Sequence, residues 1–127
     1  MTPEELFHTW YATQASLTAL LPAASVFTGQ VRDDTQAVPY ATISIQRQSG
    51  THTNSGSTFK GELEFELFIR KWQDGRDLLD ELYSLLDNAD TSGGGMEITV
   101  ARFRHEHYMH EPDGVEHLMA TYAITVN

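Results

Sequence analysis

Residues 61–70 read Gly-Glu-Leu-Glu-Phe-Glu-Leu-Phe-Ile-Arg. Leu63, Phe65, Leu67 and Ile69 fall on one parity, while Glu62, Glu64, Glu66 and Arg70 fall on the other, with Phe68 as the exception. A strict period of two is the pattern of a strand with one face on a core and one toward water. It predicts a half-buried strand in an antiparallel sheet, and the rest of the chain has to supply the layer that covers its apolar side.

Two stretches have the period for that layer. Thr2-Pro3-Glu4-Glu5 is a helix start: Thr2 caps, Pro3 suits the first helical position and Glu5 completes a capping box. Leu6, Trp10, Thr13, Leu17 and Leu20 then recur at helical spacing, predicting one helix up to Leu21, ended by Pro22. After Asp74-Gly75, residues 76–89 place Leu78, Leu79, Leu82, Tyr83 and Leu86 on one helical face. Further strands are expected at Val26-Phe27 and at 40–45, where Ala41, Ile43 and Ile45 alternate with Thr42 and Ser44. Two more are expected at 96–103 and 117–126, joined through Glu111-Pro112-Asp113-Gly114, which suits a type I turn. Residues 30–39 read as loop, and Gly93-Gly94-Gly95 as a helix stop and flexible link. The order of elements predicts an α+β fold, a mainly antiparallel sheet packed by two amphipathic helices, in a single domain over 1–127.

Residues 47–58 contain no apolar side chain. Arg47, Gln48, Ser49, Thr51, His52, Thr53, Asn54, Ser55, Ser57 and Thr58 are read as a long polar loop and as a candidate assembly element. Glu62, Glu64 and Glu66 are read as a solvated face, and as a candidate acidic lining if copies surround a lumen.

Charge excludes one class of partner. Eighteen acids against eight Lys and Arg give a formal charge of −10, with no basic stripe, so sequence-specific nucleic-acid binding is not expected. The absence of cysteine removes disulfides, thiolate nucleophiles and Cys-type zinc sites. No apolar run has the length of a membrane span and the first residues lack a basic signal start, so a soluble, cytoplasmically made chain without membrane partners is expected.

Residues 102–117 hold four of the six histidines. His105 and His107 share a strand face, and one hairpin register would bring His117 diagonal to His107, with Glu106, Glu111 and Glu116 nearby. A small metal- or ligand-binding enzyme built on hairpin 105–117 is therefore the alternative reading. No helical His-Glu-x-x-His, nucleophile elbow or phosphate loop accompanies it. Strand histidines beside a turn are ordinarily solvated, as is His8 near a helix start. Trp10, Tyr11, Trp72 and Tyr83 are better core or boundary residues than pocket linings. No catalytic residue, cofactor or metal ligand is nominated.

From Leu6 to Val126 the chain resembles the tail completion or tail terminator proteins of tailed phages. The resemblance rests on the opening helix, Val26-Phe27-Thr28-Gly29, the strand entry Pro39-Tyr40, residues 65–72 running into the second helix, and the closing hairpin with Pro112-Asp113-Gly114 and His117. It implies a structural virion protein of the neck, assembled in the host cytoplasm. Copies would close into a ring, usually a hexamer, that caps the tail tube and joins it to the head connector. It also implies no enzyme activity and no cofactor, and makes His117 a framework residue. His105, His107 and His110 depart from that family's pattern.

Overall fold

The computed structural model describes residues 2–29, 37–53, 56–86 and 90–127, with the backbone alone at 49–53, 56–57, 90 and 101–104. Three α-helices, α1 (Pro3–Ala12), α2 (Ala15–Thr18) and α3 (Trp72–Leu86), accompany six strands. The strands are β1 (Val26–Thr28), β2 (Tyr40–Thr53), β3 (Gly56–Ile69), β4 (Asp90–Gly93), β5 (Met96–His110) and β6 (Glu116–Val126). They form one sheet in the order β1-β2-β3-β6-β5-β4, antiparallel except for the parallel pair β1/β2. The α+β architecture expected from the order of elements is the one found.

All helices cover one face. Leu63, Phe65 and Leu67 on β3, Ala41 and Ile43 on β2, and Leu118, Ala120, Tyr122 and Ile124 on β6 point into a core completed by Leu6, Phe7, Tyr11, Leu17, Leu78, Leu79 and Leu82. Helix α1 touches β1 and β2 at one margin of the sheet and β4 and β5 at the other, so the sheet curls around it. Helix α3 lies on the central strands β3 and β6.

The start of α1 is the expected capping box: Glu5 N donates to Thr2 Oγ1 at 3.1 Å and Thr2 N to Glu5 Oε2 at 3.2 Å. The helix does not run to Leu21. It breaks at Thr13-Gln14, where both the backbone N–H and the hydroxyl of Thr13 turn back to the Trp10 carbonyl, at 3.0 and 2.7 Å. The break redirects the chain so that Leu17 and Leu21 are buried while Thr13 and Leu20 face out. Tyr11 ties the corner, its hydroxyl donating to the Leu21 carbonyl at 2.7 Å and to Leu17 at 3.3 Å. Burial pushes that hydroxyl's pKa above its ordinary value.

Helix α3 begins four residues before the expected start and takes Gly75 into its first turn. A Cβ there would stand 3.0 Å from Ile69 Cγ2 and 3.1 Å from Leu118 Cδ1, so glycine lets the helix approach the sheet. Tyr83, expected on the apolar face, is 43% exposed.

Two segments expected to be irregular are strands. Residues 47–53 and 56–58 continue the β2/β3 ladder, pairing Ser49 with Lys60, Thr51 with Thr58 and Thr53 with Gly56. The polar stretch is thus a hairpin and not a long loop: main-chain pairing needs no apolar side chain, and its backbone groups are satisfied across the ladder. Asn54 and Ser55, like residues 30–36 of the loop expected over 30–39, lie outside the described residues. The glycine run is likewise no flexible link. Gly93 pairs with Met96 around Gly94 and Gly95, whose φ angles of 58° and 76° are those a two-residue type I′ hairpin demands.

Candidate assembly surface

The face of the sheet away from the helices carries the functional candidates. Glu62, Glu64 and Glu66 stand on it in a row, opposite Gln46, Ser44 and Thr42 of β2 and Ala123, Thr121 and Met119 of β6. The row is knitted into its neighbours: Ser44 Oγ donates to Glu64 Oε2 at 3.4 Å and Gln46 Nε2 to Glu64 Oε1 at 3.3 Å. These carboxylates are half-buried between polar strands.

At one end of this face an aromatic row crosses four strands. Phe27 meets Tyr40 edge-on at 6.3 Å, Tyr40 stacks on Phe68 at 4.8 Å, and Phe68 stacks on His117 at 4.4 Å. Phe68, the one residue that broke the alternation of residues 61–70, sits at its centre. His117 Nε2 is 3.3 Å from Glu66 Oε2. That hydrogen bond holds the Glu66 carboxyl below the usual carboxylate range, against the opposing effect of burial.

A carboxyl depressed in the folded state adds stability above its unfolded pKa and loses it as pH falls through the folded value. Glu66→Gln is therefore expected to flatten the acid side of the stability–pH curve below the ordinary carboxylate range, leaving its neutral side nearly parallel. Chemical denaturation at a series of pH values reads this; an unchanged acid limb would show that the pair contributes nothing.

The hairpin register places Met109 opposite His117 and His107 opposite Met119, which is the diagonal arrangement of His107 and His117 considered for a metal. Yet His117 is stacked on Phe68 and bonded to Glu66, while His105 and His107 are exposed. His110 pairs through Nδ1 with Glu116. Among the described residues no group of three His, Asp or Glu side chains is placed to hold an ion.

On the helix side of the same hairpin, Arg76 of α3 reaches β5. Its Nη2 donates to Glu106 Oε1 at 2.8 Å and its Nε to Asp80 Oδ1 at 3.1 Å, and it contacts the Tyr108 hydroxyl. The guanidinium holds Glu106 below the usual carboxylate range. Trp72 packs edge-on to Tyr108 at 4.8 Å, both partly exposed. Sequence reasoning missed this cluster because Arg76 and Glu106 lie thirty positions apart and neither belongs to a motif.

The hairpin tip is tied at its base: Arg47 lies over the Phe59 ring at 5.0 Å, beside a bulge between Arg47 and Ser49. Opposite the bulge, a Cβ on Gly61 would come within 2.4 Å of the Gln46 carbonyl oxygen, which is why glycine stands there.

The fold is shared with known structures. A chain of a solved structure described as the virion of a native gene transfer agent particle is similar with a TM-score of 0.77 over 98% of this chain and 93% of that one, at 12% identity. A second solved chain is similar with a TM-score of 0.64 over 100% of this chain and 97% of that one, at 14% identity. No protein-family model matches the sequence, and comparison with curated proteins gives no match.

Proposed function

We propose that this chain is a structural protein of a phage-like virion. On this reading it acts by assembly and not by catalysis. The carrying observation is the likeness in fold, over nearly the whole of both chains, to a chain of a gene transfer agent virion. More particularly, copies close into a ring, with six subunits the expected number, that completes the tail tube and joins it to the head connector. The partners are then the chain itself, the tube protein and the connector, and the place of work is the neck of the particle.

Three features of the molecule support this. The two-stranded hairpin 47–58 is a polar arm available to a neighbour. The acidic row Glu62, Glu64 and Glu66 lies on one open face, where it would keep a lumen from holding DNA. The net charge of −10 has the same effect over the whole surface. Light scattering across a concentration series, followed by electron microscopy of the protein mixed with tail tubes, tests the reading. Closed rings seated on tube ends are expected. A monomer at every concentration, with tubes present as well, would refute it.

A further inference from the structure

Among the described residues, the two marginal strands are short and pair with only part of their neighbours. β1 pairs only with Ala41–Ile43 of β2, and β4 only with Met96–Thr99 of β5. Among the described residues, β2 from Ser44 to Thr53 and β5 from Val100 to His110 are therefore paired on one side alone. Such rows of main-chain donors and acceptors are templates for another strand.

Direction, length and charge point to the same occupant. Because β2/β3, β3/β6 and β6/β5 are each antiparallel, β2 and β5 run in opposite directions. A copy related by rotation thus presents its β5 antiparallel to β2, with its helices on the same side of the joined sheet. The two open stretches, 44–53 and 100–110, are of similar length. The acidic row Glu62, Glu64 and Glu66 lies one strand in from the β2 edge. The open stretch 100–110 of β5 carries His105 and His107 on that same face, whereas the one acid of that stretch, Glu106, is taken by Arg76 on the other.

We propose that copies of this chain join edge to edge, β5 of one subunit adding to β2 of the next beyond Ile43, with Met109 beside Ser44 and His107 beside Gln46 on the face that carries Glu62 and Glu64. The proposal rests on the ring reading and supplies its joint. The contact uses two different surfaces, so it propagates head to tail and closes by rotation. Bulges at Arg47/Ser49 on β2, and at Val100/Arg102 and Phe103/His105 on β5, twist both edges. A flat foreign strand fits such edges poorly, which guards them against indiscriminate pairing.

The cysteine-free chain allows a direct test. In that register Gln46 faces His107 and Ser44 faces Met109, each pair having one member on β2 and one on β5. Three strand spacings separate them within a subunit, about 14 Å along the sheet, beyond the reach of a disulfide. Gln46→Cys combined with His107→Cys, or Ser44→Cys combined with Met109→Cys, is oxidised and run on a denaturing gel. A ladder of covalent multimers is expected from a double variant and from neither single variant. His105→Glu with His107→Glu is expected to weaken assembly at least tenfold with unchanged melting temperature, and the corresponding pair of alanines less than twofold. Rings in light scattering without crosslinks from either double variant would overturn the edge joint and leave the ring standing. A wild-type monomer under all conditions would remove both.

Discussion

Phe65→Ala is expected to destabilise the subunit by about 3–5 kcal/mol, the range for removing a fully buried aromatic ring. Phe65 is 0% exposed at the middle of β3, and its ring stacks on Tyr11 at 6.1 Å. Tyr11 in turn holds the α1–α2 corner through the carbonyls of Leu17 and Leu21. The cavity therefore opens where the N-terminal helices meet the sheet, and collapse there would have to drag the corner's hydrogen bonds with it. A drop in melting temperature on the order of 10–20 °C should accompany the loss. Urea denaturation followed by tryptophan fluorescence measures it; a change below 1.5 kcal/mol would mean that the site closes over the gap and that the corner is not anchored by this contact.

Shortening the β2/β3 hairpin is expected to separate folding from assembly. Gly50 pairs with Phe59, and Phe59 pairs with Val126 and packs on the core, so the cut belongs beyond that pair. Replacing residues 51–58 by Asn-Gly leaves every strand pair with β6 in place and closes the ladder with a favoured two-residue turn. Stability should change by about 1 kcal/mol or less, since surface changes away from packed side chains seldom do more. Completion of tails in a mixing assay should fall to background. Normal completion by a shortened chain would show that the arm is dispensable and would confine the assembly surface to the sheet edges.

The sheet and its covering layer were legible because their signals are local. Leu63, Phe65, Leu67 and Ile69 alternate by sterics alone, and the capping box at Thr2 and Glu5 closes within one helical turn. What escaped was set by tertiary contacts or by backbone chemistry without an apolar pattern. The break at Thr13 depends on a hydroxyl choosing the Trp10 carbonyl, which periodicity does not register. The second helix was expected only after Gly75 because that residue's use, close approach to Ile69 and Leu118, is visible only once α3 lies on the sheet.

The strands over 47–53, 56–58 and 90–93 were hidden for a further reason. A ladder held by main-chain bonds leaves little mark on side chains, although two adjacent glycines before Met96 were themselves a hairpin signal. As for the candidate surface, Glu62, Glu64 and Glu66 were correctly placed on one face by parity. The aromatic row through Phe27, Tyr40, Phe68 and His117 was not, since it joins residues from four strands.

The position of α1 has a consequence for how the chain acquires its structure. The helix is made before the sheet, and two of the strands it touches, β4 and β5, begin only at residues 90 and 96. On a ribosome, the helix with the best local start signal in the chain must wait for most of the sequence before its apolar side has a full seat. Closing so long an intervening segment is entropically costly, and folds dominated by such distant contacts form slowly. Emerging chains therefore hold Leu6, Phe7 and Tyr11 without their final partners until β5 has been made. Seating α1 bridges the two margins of the sheet, so the step that hides these side chains also fixes the curvature of the finished subunit.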